Sequence, residues 1–377
     1  MTLRYSIFIA ILIFLSLLSI GHKVNVTPPS KPVTQEIDTT TATFPLAKPT
    51  LSVGSPTSTS VGATIKKTAS LKVTLPVSQP HVSIAPVIPT SPSVPEPLPD
   101  FEAINKSAQG AIVNIYCTAE GSPISGTGVI ISPDGIILTN AHVGQFFLLQ
   151  NHNYPGYIQC VVRTGSPAYP RYTAELVYIS PNWVEENKAL LKASAQTGTG
   201  ENDFAFLRIT GRTDGSTPPS SFPYIPAGTR EVFQKGENVV LISYPAGFLG
   251  GISISQNLYL SSAITTIQDY FTFNLTTIDI ISVPGTVVSQ RGSSGGAVVD
   301  KNTNVIGIIS TSSEGATTES RNLDAITSGY VSRTLQRETG LSLSRFLSQD
   351  LSQYAKSFNQ NIAPRLTKLI TDELNKQ

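Results

Sequence analysis

Between residues 111 and 310 the chain is a series of short apolar runs cut apart by turn signals, and this punctuation constrains the fold more than any other feature. Residues 111–117 read A-I-V-N-I-Y-C and residues 126–132 read G-T-G-V-I-I-S, after which the turn P-D-G at 133–135 leads into I-I-L-T at 136–139. Y-I-Q-C-V-V comes next at 157–162, N-V-V-L-I-S-Y at 238–244, and Y-L-S-S-A-I-T-T-I at 259–267. F-T-F-N-L at 271–275, A-V-V-D at 297–300 and V-I-G-I-I-S at 305–310 complete the set. Strand-like runs separated by turns at such intervals are typical of antiparallel barrels, so the core is read as mainly β.

Two stretches depart from strand character. Residues 181–196 carry Trp183, Leu190 and Leu191 among Glu, Lys and Ala, which predicts a helix inserted between strands. Further on, Leu347, Leu351, Tyr354 and Phe358 recur at helical spacing, and Leu366, Leu369, Ile370 and Leu374 do so again after Pro364. Two amphipathic helices are therefore expected over 341–377, packed against the barrel. Asp100 is placed to cap a short helix at the start of the folded part.

Residues 5–20 run uncharged and almost wholly apolar behind the weakly positive Met1 to Arg4. Sixteen helical residues span roughly 24 Å, short of a ~30 Å hydrocarbon core. Residues 1–21 thus fit a cleaved signal peptide and a retained membrane anchor equally, and both readings put the rest of the chain outside the cytoplasm. Between His22 and Asp100 lie 14 of the 27 prolines, among Ser, Thr and Val. That stretch, 22–99, is read as a semi-extended, disordered stalk without chemistry of its own. The folded part is read as one domain over 100–340, with the helices after it.

A formal net charge of +1, with 14% charged residues, gives no electrostatic reason to expect nucleic acid. The two cysteines, Cys117 and Cys160, allow one intramolecular pairing. A disulfide would close a loop of 43 residues, contributing about 3 to 4 kcal/mol in the chain-entropy model; two free buried thiols are the alternative.

Three short patterns carry chemistry. His142 lies in T-N-A-H-V at 139–143, Asp203 in D-F-A-F-L-R-I at 203–209, and Ser294 in G-S-S-G-G-A at 292–297. A hydroxyl nucleophile, a general base and an acid that orients the base are the minimum set for acyl transfer. Of the four histidines, His22 and His81 fall in the leader and stalk, and His152 sits in the polar loop N-H-N-Y-P-G. His142 is the base that a neighbouring strand holds. Ser294 is preferred to Ser293 because it directly precedes Gly-Gly, and glycine at 292 lets the amides of Gly292 and Ser294 point at one developing oxyanion. Asp203 opens an apolar strand, where a carboxylate needs partners to offset its desolvation.

Taken together with G-E-N-V-V-L-I-S-Y-P-A-G at 236–247, these motifs make residues 101–334 resemble chymotrypsin-fold serine proteases, most closely the HtrA/Deg group. The resemblance implies two six-stranded antiparallel β-barrels, and protein or peptide substrates cleaved without cofactor or metal. It gives His142, Asp203 and Ser294 the catalytic roles, and the amides of Gly292 and Ser294 the oxyanion hole. Ser310, Thr311 and Ser312 would bind substrate backbone beside the S1 pocket. Val287, Val288 and Ser289 would form an acid-free pocket wall suited to an apolar P1 residue. Ser293 stands where zymogen-type relatives carry an aspartate, and about 43 residues after Thr334 are too few for a PDZ domain. The competing function is a catalytically inactive peptide-binding module displayed on the stalk.

Overall fold

Asp100 begins the folded part by capping α1 (Phe101–Ala108): its Oδ1 accepts the backbone N–H groups of Glu102 and Ala103, donors that a first helical turn leaves unpaired. The computed structural model describes residues 98–119, 122–192, 198–247, 249–273, 276–312 and 322–376. The leader or anchor at 1–21 and the stalk up to residue 97 lie outside these residues. Among the described residues no helix is long and apolar enough to cross a membrane.

The first six strands are β1 (Ile112–Ala119), β2 (Ser122–Ser132), β3 (Ile136–Thr139), β4 (Ile158–Thr164), β5 (Tyr169–Ile179) and β6 (Ala205–Arg212). They close into an antiparallel barrel in the order β1-β2-β3-β6-β5-β4. Every residue of β3 is buried, because one face fills the barrel and the other is covered. Cys117 on β1 lies directly opposite Cys160 on β4, and the two are joined as a disulfide. Replacing both by serine is expected to lower stability by about 3 kcal/mol. Urea unfolding of the two chains measures this, and an unchanged midpoint would contradict it.

The second sheet holds β7 (Asn238–Ser243), β8 (Ser261–Thr266), β9 (Asp269–Phe271), β10 (Ile280–Val283), β11 (Ala297–Val299), β12 (Val305–Ser312) and β13 (Leu323–Thr327). It curls as a seven-stranded sheet in the order β8-β7-β11-β12-β13-β10-β9. The expected six-stranded barrel thus has one strand more, the short β9 pairing only with β10, and its end strands share no ladder among the described residues. Val240 and Ile242 face the core shared with the first barrel, whereas Val239 and Leu241 face a second core with Phe233, Ile281, Val298 and Ile309. Burial on both faces is why this strand reads as an unbroken apolar run. Of the strand expected at 271–275, Phe271 belongs to β9, Thr272 and Phe273 leave the ladder as the N–H of Phe273 turns to Asp279 Oδ2 at 2.7 Å, and 274–275 lie outside the described residues.

Helices cover the outside of the first barrel. The stretch expected as one helix at 181–196 is α3 (Pro181–Asn187) continued as a 3-10 segment (Lys188–Lys192), with 193–197 outside the described residues. Ahead of it comes a helix not anticipated, α2 (Ala141–Leu148). Between β7 and β8 lies the short helix α4 (Gly251–Gln256), whose Ile254 and Ser255 carbonyls accept from Arg163 of β4, and α5 (Ser328–Thr339) leaves the end of β13. The next helices are α6 (Leu343–Leu347), α7 (Leu351–Asn361) and α8 (Ala363–Leu374). The periodicity from Leu347 to Leu351 runs through a break, because Asp350 caps α7 by accepting from Ser352 and Gln353. Phe346 packs on Phe206 with ring centroids 4.9 Å apart, and Phe358 on Tyr178 at 5.5 Å. Asn359 Nδ2 also donates to Leu176 O of β5 at 2.7 Å, so the packing expected of these helices is what they do.

Candidate active site

β3 ends at Thr139 and the chain turns at once into α2, whose second residue is His142. Asn140 stands at the helix cap without capping it; its Nδ2 donates to the backbone carbonyl of Asp203 at 3.0 Å. The histidine helix and the acid's turn are thereby tied before their side chains meet. Asn202 holds that turn in the left-handed region at φ 58°, a conformation asparagine tolerates better than most residues. Tyr330 of α5 fixes it, its hydroxyl accepting from Asn202 N–H at 3.0 Å and donating to Asn202 Oδ1 at 3.1 Å.

The Asp203 carboxylate accepts three hydrogen bonds. Oδ1 takes the backbone N–H of His142 at 2.9 Å, and Oδ2 takes His142 Nδ1 at 2.8 Å and Ser310 Oγ at 2.7 Å. An ionised carboxylate only accepts, so Nδ1 carries the ring proton and Nε2 is left with a free lone pair. The Asp203 side chain is 5% exposed and that of His142 23%, so the imidazole is the more accessible member of the pair. Burial works against the imidazolium, but the adjacent carboxylate outweighs it and raises the His142 pKa above 6.5. Burial would likewise raise the Asp203 pKa; the charge and hydrogen bonds of His142, with the Ser310 hydroxyl, bring it below the ordinary value.

Ser294 lies in the turn before β11, and the backbone of that turn can be traced group by group. The N–H of Ser293 donates to Gln290 O, that of Gly295 to Ile309 O and that of Gly296 to Ser293 O. Arg291 O accepts from Ala246 N–H, and Ser294 O from Thr127 N–H. Gly292 O accepts from Thr127 Oγ1 at 2.7 Å. Among the described residues the N–H groups of Arg291, Gly292 and Ser294 have no acceptor, and those of Gly292 and Ser294 flank the Ser293 residue of the turn. Gly295 is irreplaceable in this turn, because at φ 83° a Cβ there would lie 2.0 Å from Thr127 O.

The two serines of the motif differ in their surroundings. Ser293 is 1% exposed, and its Oγ accepts from Ser243 Oγ at 2.8 Å and donates to Val288 O at 2.6 Å. Ser294 is partly exposed, and its Oγ has no hydrogen-bond partner among the described residues. His152 stands apart from this cluster, its ring against Tyr157 at 5.7 Å.

Residues 126–308 match the family model described as trypsin-like peptidase domain. That segment, just under half of the chain, carries His142, Asp203 and Ser294. The solved structures similar to the chain include the Rv3671c protease of M. tuberculosis in its active form, at 20% identity and a TM-score of 0.39, covering 68% of this chain and 95% of that one. Its inactive form matches at 21% identity and the same TM-score, covering 65% and 100%. No curated protein matches the sequence.

The remaining expected site residues are distributed unevenly. Ser310 turns its hydroxyl to Asp203, whereas Thr311 and Ser312 are described only as backbone, paired with Asp324 and Leu323 of β13. Of the expected pocket wall, Val288 belongs instead to the second core at 0% exposure, and Ser289 Oγ is taken by the N–H of Thr286. Only Val287 is exposed, at 59%. Packing against Val298 and Ile309 withdraws Val288 from any pocket lining. Among the described residues no group of three His, Cys, Asp or Glu side chains is placed to hold a metal ion. Asn140, Tyr330 and Thr127 carry no local signal in the sequence, since each acts through contacts with residues distant in the chain.

Proposed function

We propose that the protein is a serine endopeptidase, cutting protein or peptide chains outside the cytoplasm through His142, Asp203 and Ser294. One arrangement supports the reading: an imidazole oriented by a buried carboxylate, with that carboxylate bonded to Ser310 next to Ile309, whose carbonyl holds the turn in which the Ser294 and Gly292 amides are unpaired. Ser294 Oγ attacks the scissile carbonyl carbon while His142 Nε2 takes the hydroxyl proton. The carbonyl π pair moves onto oxygen, where the Gly292 and Ser294 amides donate to it. Collapse of the tetrahedral species breaks the C–N bond, and the departing amine takes the proton from His142. Water then repeats the sequence on the acyl ester and restores Ser294. Asp203 keeps the imidazole in the working tautomer and stabilises its charged form.

The segment at 310–312 is the substrate-backbone strand in this reading. Placement outside the cytoplasm is supported by the apolar run at 5–20, acting as signal peptide or anchor, and by the Cys117–Cys160 disulfide. The motifs favour an HtrA/Deg-like enzyme. A fluorophosphonate probe tests the chemistry. It is expected to label the wild-type chain and not Ser294→Ala; labelling that persists in the variant would refute the assignment, and an unlabelled wild type would favour the inactive binding module.

A further inference from the structure

Thr127 occupies the middle of the G-T-G that opens the buried half of β2, and it is 0% exposed. All of its polar groups engage the site or its supports. Its N–H donates to Ser294 O at 2.8 Å, and its carbonyl accepts from Thr139 Oγ1 at 2.7 Å. Its hydroxyl stands between the backbone N–H of Tyr244, at 3.0 Å, and Gly292 O, at 2.7 Å. An amide can only donate and a carbonyl can only accept, so the direction of the hydroxyl is fixed: it receives from Tyr244 and gives its proton to Gly292 O. Tyr244 is itself held, 1% exposed, by its phenol donating to Gly165 O at 2.9 Å.

Gly292, at φ 91°, has no Cβ to restrain its own rotation. Its N–H lies in the 291–292 peptide and the Ser294 N–H in the 293–294 peptide, so the angle between these two amides depends on how the 292–293 peptide between them is held. Arg291 O is held by Ala246 N–H, and among the described residues Gly292 O is held by Thr127 alone. We infer that Thr127 is a positioning residue of the oxyanion hole, its hydroxyl reaching from the first barrel to the nucleophile turn to hold the 292–293 peptide and so keep the Gly292 and Ser294 N–H groups aimed at one point. The inference rests on the proposed serine-protease reading. It adds that the hole is assembled across the junction of the two barrels.

Thr127→Val keeps the shape of the side chain and removes the hydroxyl, leaving Gly292 O and Tyr244 N–H buried without partners. The 292–293 peptide then loses one of its two anchors, keeping the Ser293 N–H on Gln290 O, and the amides on either side of it, of Gly292 and Ser294, lose their common aim. The oxyanion exists only in the transition state, so kcat is expected to fall about 100-fold with KM within about twofold of wild type. Thr127→Ser restores the hydroxyl and is expected to return kcat to within about threefold of wild type. Steady-state kinetics on one peptide substrate, with thermal melts of each chain and Ser294→Ala as blank, decide the matter. A valine variant with wild-type kcat, a loss carried by KM, or a serine variant as poor as valine overturns the inference while leaving the protease reading intact. A wild type no faster than the Ser294→Ala blank overturns both. If the valine chain does not melt cooperatively, Thr127→Ala takes its place under the same criteria.

Discussion

Replacing Ser294 by alanine is expected to lower kcat about a million-fold, and adding His142→Ala to that chain is expected to change nothing further. The reason is that the two residues act as one unit. Without the hydroxyl there is no proton for Nε2 to remove, and without Nε2 the hydroxyl stays a weak nucleophile. What remains is a pocket whose amides stabilise an oxyanion formed by attacking water. Ser293 offers no rescue, because its hydroxyl is buried between Ser243 and Val288. Burst kinetics with an activated ester, compared among wild type, single and double variants, measure the effect. A Ser294→Ala chain retaining about a tenth of wild-type activity would require another nucleophile.

Asp203→Asn is the second largest expected effect, about 10,000-fold in kcat. An amide can present its NH2 to Nδ1, which moves the ring proton to Nε2 and removes the lone pair that acts as base. The same substitution alters pH dependence in a defined direction. In wild type, activity requires neutral His142, whose pKa is raised by the carboxylate, so the acid limb of kcat/KM has its midpoint above 6.5. Without that charge only burial acts on the imidazolium, and it lowers the pKa, so the residual limb shifts to more acidic pH. A profile of kcat/KM against pH for both chains reads the shift. A limb that stays in place, or moves up, would show that Asp203 does not set the charge of His142.

How far the sequence disclosed all this depends on the range of each interaction. β2, β3, β7 and β12 are legible because their apolar runs are bounded by turn residues, a signal contained in a few neighbours. β5 is not, since Pro170 and Arg171 at its start conceal a strand that turns apolar only from Leu176 on. The helix carrying His142 has no side-chain cap to announce it, as Asn140 gives its amide to Asp203 instead. Asp350 is a cap that spacing alone conceals, because the apolar residues on either side keep helical register across it.

Within the site, His142, Asp203 and Ser294 are visible as motifs because each sits in a local pattern that its chemistry demands. Their supports are not. Ser310 looks like a substrate-strand residue, and its hydroxyl is spent on a carboxylate 107 positions away. Tyr330 reaches Asn202 across 128 positions, and Thr127 reaches Gly292 across 165. No period or spacing encodes such pairs; they exist only once two barrels are docked.

One further brace lies still farther along the chain. Thr367 Oγ1 donates to Leu148 O at 3.0 Å, across 219 positions, and so α8 finishes the support of the helix that carries His142. During synthesis, residues 142, 203 and 294 all emerge before residue 367. A nascent or clipped chain that stops short of α8 thus holds every reactive group while its histidine helix lacks this closing contact. The timing of competence is written into the order of the polypeptide, with the means of cutting made first and one of its braces made last.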